Sequence, residues 1–347
     1  MARVHMLERE RGEIVDEIRA RPGYEDFLKA IPFKKLQTAT ALGPVIVINH
    51  CRYRCDILII LRDSAPVLIP TTHDFYDRAA KLKTHLIETR AQYALESKRY
   101  QRALRFVLQE LYELVGRPVI EKLQELKIAE ESRVWWCPTS VFCSLPLHAA
   151  GPIKSKTGGK RYFSDIYVCS YTPTLSALID SRKDITRTLD SPSILIVGQP
   201  DKEIEAIARL AKSATSLIAH FACHGSLELE RPFDAALLFR GDECLRLLDI
   251  VRLRLSEAEF AFLSACHAAE WTDEDIPDEA LHLTAAMQYC GFRSVVGTLW
   301  AMADQDGQDI SEHFISRSAR ALCDSVRELR KKGVTLERWV NFVHYGA

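Results

Sequence analysis

Hydrophobic positions along the chain change their rhythm about a third of the way in. Leu7–Arg19 is charged, helical in spacing, and stopped by Arg21-Pro22-Gly23. Val45–Asn49, Arg54–Leu61 and Pro66–Pro70 are β-rich runs parted by short turns, which predicts a meander. From Asp74 to Leu126 apolar residues recur at three and four, through Leu82, Leu86 and Tyr93 and then Leu104, Val107, Leu108, Leu111 and Leu114. That spacing gathers them on one helical face; Gly116-Arg117-Pro118 breaks it once, so an antiparallel helix pair over a sheet is expected.

Beyond about residue 130 strands and helices alternate. Val134–Cys137, Ile166–Ser170, Ser193–Val197, Ser216–Ala222, Ala235–Phe239, Ala258–Ala265 and Arg293–Trp300 read as strands. Pro173–Arg182, Asp201–Ser213, Leu247–Leu253 and Asp278–Cys290 read as helices, the first with Thr172 as N-cap and Pro173 at its first position. Helices fill much of the remainder to Trp339. Continuously apolar strands separated by helices predict an α/β fold whose parallel sheet is covered on both faces. Two regions follow: an α+β region over 1–130 and an α/β domain over 131–347.

Composition narrows the function more than the fold. With 46 basic and 47 acidic residues the net charge is −1, so no basic excess exists to neutralise phosphates and nucleic acid is not an expected partner. Met1–Arg21 carries no apolar export core, and the longest apolar runs fall far below the roughly 20 residues of a membrane span. The ten cysteines are scattered, several inside apolar strands. Reduced thiols in an intracellular, chiefly cytoplasmic setting are expected, with the nucleus allowed.

Two strands end in residues with chemistry. Leu217-Ile218-Ala219-His220-Phe221-Ala222-Cys223-His224-Gly225 is one, and Ala261-Phe262-Leu263-Ser264-Ala265-Cys266 the other. Active sites of open parallel sheets lie beyond the carboxyl ends of strands. His224 and Cys266 can pair there as base and nucleophile, and the backbone N–H groups of Gly225 and Cys266 can hold an oxyanion. A buried cysteine at a strand end is, taken alone, more often packing. The same residues resemble the paired His and Cys motifs of the CHAT domain, in the group of caspase-like cysteine peptidases that also contains separase. Trp135-Trp136-Cys137-Pro138-Thr139, Leu145-Pro146-Leu147-His148-Ala149-Ala150-Gly151 and Ser170-Tyr171-Thr172-Pro173-Thr174 resemble upstream blocks of that family. Asp278–Leu283, Val296–Trp300, Arg327–Arg330 and Trp339–Gly346 resemble downstream ones.

The resemblance implies a caspase-like sheet, preceded by a region that completes it, and a cysteine endopeptidase cleaving a protein substrate without metal or organic cofactor. It further implies a substrate lying extended beside the strand that ends at Trp300, with Asp304 receiving a basic side chain. Asp304 as a plain helix cap is the alternative. The segments after Pro200 and Asp306 are shorter than the family pattern, and His267 follows Cys266 where Thr is usual. These departures favour a catalytically silent interaction module answering to a regulatory protein partner. His220 and Cys223 read as packing residues, His267 as an inferior base, and His148 as a structural polar group. His50, Cys51 and Cys55 lack the fourth ligand that zinc needs.

Overall fold

The computed structural model describes residues 2–25, 27–94, 97–154, 160–183, 193–197, 216–221, 224–226, 236–238, 244–246, 248–249, 252, 255, 257–264, 283–300, 310 and 318–347. The chain divides into two compact units, Met1–Thr38 and Ala39–Ala347. In the first, helix α1 (Ala2–Arg19) is followed by the short helix α2 (Phe33–Leu36), and Arg19 Nε donates to the Phe27 carbonyl at 2.8 Å.

The second unit opens on β1 (Val45–Asn49), β2 (Asp56–Ile60) and β3 (Val67–Ile69), then α3 (Phe75–Gln92), α4 (Lys98–Leu111) and α5 (Arg117–Glu125). Next come β4 (Arg133–Pro138), β5 (Ile153–Lys154), β6 (Lys160–Arg161), β7 (Val168–Tyr171) and α6 (Leu175–Asp180). Then follow β8 (Ser193–Val197), β9 (Leu217–Phe221), β10 (His224–Ser226), β11 (Ala236–Leu238), β12 (Cys244–Arg246) and β13 (Ala258–Leu263). Helix α7 (Leu283–Cys290), β14 (Ser294–Thr298), α8 (Ala319–Lys331), α9 (Leu336–Val340) and β15 (Phe342–Gly346) complete it.

Among the described residues ten strands form one sheet in the order β3-β2-β1-β4-β7-β15-β14-β13-β9-β8. β1, β4, β7 and β15 run parallel, and so do β14, β13, β9 and β8. Only one junction joins these blocks: β15 meets β14 antiparallel over five register pairs, Ser294↔Gly346 to Thr298↔Phe342. The sheet is therefore mostly parallel with its direction reversed at the centre. Carboxyl ends of β1 and β4 lie on one rim, and those of β9 and β13 on the opposite rim.

The alternation of side chains explains the layers. Trp135 and Trp136 are both fully buried, yet on opposite faces of β4, as successive strand residues must be. Trp136 joins the main core with Leu104, Val107, Leu108 and Leu111 of α4, while Trp135 packs with Ala39, Val45, Cys137 and Leu178. α7 is buried along nearly its whole length, as its apolar Leu-Thr-Ala-Ala-Met-Gln-Tyr-Cys run requires. It ends at Gly291 with φ +125°, where an added Cβ would sit 1.9 Å from the Leu255 carbonyl oxygen, so only glycine fits.

Three expectations need correcting. Gly116-Arg117-Pro118 does not break the helical run: Tyr112–Gly116 widens into one π turn and α5 continues from Arg117. A wider turn accommodates the N–H that Pro118 lacks. The N-cap of α6 is Thr174, whose side chain accepts from the Ala177 N–H at 3.0 Å, while the Thr172 hydroxyl donates to the Thr174 carbonyl at 2.7 Å. Within Trp339–Gly346, to which the sequence assigned no strand, Phe342–Gly346 forms the central strand β15.

Candidate active site

Strands β9 and β13 are adjacent and parallel, with Phe262↔His220 and Leu263↔Phe221 as their last register pairs. Their burial follows from sequence, since Leu217, Ile218, Ala219 and Phe221 face Ala258, Phe260, Ala261, Phe262 and Leu263 in one core. The Ser264 N–H donates to the Phe221 carbonyl at 2.9 Å, carrying the ladder one residue past the end of β13. His224 therefore lies three residues beyond the last residue of β9, and Cys266 three beyond the last of β13. His224 and Gly225 open the small antiparallel sheet of β10, β11 and β12, paired with Leu238 and Leu237. Cys266 itself, together with Cys223, His267 and Asp304, lies outside the described residues.

His220 is half-buried in β9, its Nε2 3.0 Å from the Ser264 hydroxyl and its ring 4.9 Å from that of Phe262. Burial holds its imidazole below the ordinary histidine range. It thus ties the two strand ends together from below the rim.

Trp300 is 1% exposed. Its N–H donates to Asn341 Oδ1 at 2.8 Å and its carbonyl accepts from Asn341 Nδ2 at 3.0 Å. The Leu299 N–H donates to the Asn341 carbonyl at 2.9 Å, and the Arg90 guanidinium lies 5.2 Å above the indole. One edge of β14 is filled by β15 along its length and the other by β13 as far as Val296. The strand end that the sequence singles out is thus a clamped, interior feature. Asn341 is a residue the sequence reasoning did not find, because nothing in a local pattern marks a side chain that bonds a backbone 41 positions away.

On the far half of the sheet a cavity of about 30 Å³ is lined by His148, Cys169, Tyr171, Cys323, Arg327 and His344, among others. His148 Nδ1 is 2.9 Å from the Tyr171 hydroxyl, and burial pushes its pKa down to about 4. Burial and then the neighbouring Arg133 charge hold His344 well below its usual range. Burial also raises the thiols, Cys137 to about 12 and Cys323 to about 11, so these are inert protonated groups. The eight described cysteines are free of disulfides. His50, instead of meeting Cys51 and Cys55 around a metal, bonds the Ser140 hydroxyl and the Tyr76 carbonyl. Among the described residues no group of three or more His, Cys, Asp or Glu gathers to hold a metal ion, and no helix is long and apolar enough to cross a membrane.

Arg133 and Arg182 both stack on Trp135, each guanidinium carbon 4.4 Å from the ring centroid. Burial, with Arg182 nearby, pushes the Arg133 pKa down to about 9. Arg133 donates to Ser170 Oγ and the Gly346 carbonyl and so serves the seam between β4, β7 and β15, while Arg182 donates to the Ala39 carbonyl.

No curated protein gives a significant sequence match. Residues 105–216 and 204–347 match the family model of the CHAT domain. Among solved structures, a chain of the Saccharomyces cerevisiae separase–securin complex aligns with a TM-score of 0.56 at 11% identity, covering 90% of this chain and 30% of that one. A second structure of that complex gives 0.50 at 11% identity, covering 96% and 32%. The chain thus spans about a third of the length of the separase-complex chain it matches, and the likeness is one of caspase-like fold.

Proposed function

From the premise that this chain belongs to the CHAT domain family, we propose that it is a cysteine endopeptidase with Cys266 as nucleophile and His224 as base. The observation that carries the reading is the pairing of β9 with β13: neighbouring parallel strands stop in register, and each motif residue lies three positions further on. In this reading the Cys266 thiol passes its proton to His224, and the sulfur attacks the scissile carbonyl. The N–H groups of Gly225 and Cys266 stabilise the oxyanion. The proton returns to the leaving amine, and water, deprotonated by His224, releases the acyl group. No metal or organic cofactor enters these steps.

The substrate is a protein segment with Arg or Lys before the cut bond, held by the Asp304 carboxylate; Arg gains from bidentate geometry. That segment lies extended beside the strand ending at Trp300 and pairs with its backbone. The setting is intracellular, with a regulatory protein as partner.

One observation favours the silent-module reading instead. β8 reads as an interior strand, Ser193-Ile194-Leu195-Ile196-Val197, yet it stands at the sheet edge with Ile194 62% and Ile196 70% exposed. An apolar strand that stands at the edge among the described residues suits a binding surface.

Alkylation of Cys266 by iodoacetamide across pH, with peptides differing only at the residue before the cut bond, separates the two. Fast, His224-dependent labelling and cleavage after Arg or Lys support the peptidase. Slow, uniform labelling of all exposed thiols with no cleavage leaves the module.

A further inference from the structure

We infer that Ser140 and His50 form a second nucleophile–base pair, able to take an acyl group from a small aryl or apolar ester. Strands β1 and β4 are parallel neighbours whose last register pair is Ile48↔Pro138, and His50 and Ser140 each lie two residues beyond it. Ser140 Oγ is 3.0 Å from His50 Nδ1. His50 Nε2 is 3.1 Å from the Tyr76 carbonyl, which can only accept. The neutral imidazole therefore carries its proton on Nε2, and Nδ1 presents a lone pair to the serine hydroxyl. A nucleophile held by a base that a third group orients is the arrangement that activates serine.

The turn itself points the same way. Ser140 has φ +54°, in the left-handed region, at the junction of β4 with a 3₁₀ turn, Ser140–Ser144. A serine at a strained strand-to-helix turn is the geometry that lifts a hydroxyl clear of its own strand. Thr139 Oγ1 accepts from the His50 N–H at 2.9 Å and donates to the Ile48 carbonyl at 3.0 Å, locking both loops. Ser140 is 7% exposed and His50 5%, and the Tyr76 ring stacks on the imidazole at 4.4 Å with an interplanar angle of 8°. The Phe142 ring meets the imidazole edge-on at 5.6 Å. These aromatic neighbours select an apolar or aryl ester.

In the reaction the serine proton moves to His50 Nδ1 as the Oγ–carbonyl carbon bond forms. The same proton leaves with the alcohol or phenol as the ester bond breaks; water, deprotonated by His50, then bonds the acyl carbon, the Oγ–carbon bond breaks, the carboxylic acid leaves and the His50 proton returns to Oγ.

The test uses the full chain carrying Cys266→Ala, so that this nucleophile cannot react. Diisopropyl fluorophosphate is the probe: its P–F bond breaks, fluoride leaves, and a P–Oγ bond forms. Peptide mapping is expected to find one adduct, on Ser140, absent from Ser140→Ala and from the heat-unfolded chain. His50→Gln should slow it by about 100-fold or more. Tyr76→Ala, which keeps the carbonyl and removes the covering ring, should speed it. Failure to modify Ser140 in a cooperatively melting chain, even with Tyr76→Ala, would overturn the proposal. Labelling that ignores His50→Gln, or persists after unfolding, would do the same.

Discussion

Two pairs of neighbouring parallel strands each lead to a histidine and a nucleophilic residue, β1 and β4 to His50 and Ser140, β9 and β13 to His224 and Cys266. In the first pair every polar atom has a fixed neighbour: a carbonyl on Nε2, a hydroxyl on Nδ1, a stacked ring above. In the second, the bond among the described residues lies one step lower, where His220 bonds Ser264 beneath the rim. The β1–β4 register is unbroken, whereas β9–β13 shifts by one residue between Ala258 and Phe260 and then runs in step to Leu263↔Phe221. What the two pairs share is that apolar strands decide where each loop starts. A parallel sheet can thus guarantee that two loops start side by side, while the chemistry at their tips depends on the few bonds made afterwards.

The sharpest break of that comparison is Cys266→Ala. On the peptidase reading, peptide cleavage should fall by at least ~10³-fold while the melting temperature stays nearly unchanged, since the substitution removes a single sulfur atom. Turnover that survives the change would remove the β9–β13 pair from the chemistry altogether.

Acid should loosen the β7–β15 region next. His148 titrates near 4 in the folded chain against a usual 6.5, and His344 well below it. The unfolded chain therefore binds more protons between those values, so stability is intact above pH 6.5 and falls as pH drops toward 4. His148 alone accounts for about 3 kcal/mol across that window. Equilibrium urea unfolding from pH 7 to 4 checks this, and His148→Asn should flatten the slope.

Asn341→Ala should cost about 2 kcal/mol, because the buried Trp300 N–H and carbonyl both lose their partner. Amide exchange at Trp300 gives a direct reading; protection equal to that of the unmodified chain would mean that the clamp is idle. Arg90→Ala sharpens the same point with the smallest effect, about 1 kcal/mol for a guanidinium over an indole. Arg90→Lys should recover part of it in the same thermal melts.

Much of this molecule was legible as strands and helices. Val45–Asn49 forms β1 at the bounds its apolar run suggested, and the β9 and β13 runs gave the neighbours that frame the candidate site. β15 was not legible: Phe342-Val343-His344-Tyr345-Gly346 puts a histidine and a tyrosine in the middle of a fully buried strand, where their polarity hides it. Both are tolerated because His344 bonds Ser294 Oγ at 2.5 Å and Tyr345 packs on Tyr171 with centroids 5.5 Å apart. Three-residue strands such as β10 and β12 carry too few positions for any period to register. Ser140, Asn341 and the Arg133–Trp135–Arg182 stack were missed for a common reason. Each depends on a partner dozens of residues away or on a backbone torsion, and neither leaves a trace in local spacing.

The seam at β15 also dictates an order of events during synthesis. Every other strand of the large sheet is made before Phe342–Gly346, yet this strand stands between β7 and β14 at the centre. Until Phe342–Gly346 is available, the edges of β7 and β14 lack the strand that joins the two half-sheets. Contacts of such long sequence separation are the slow ones to form. Until they form, the inner edges of β7 and β14 are the places where a nascent copy can pair with the wrong strand.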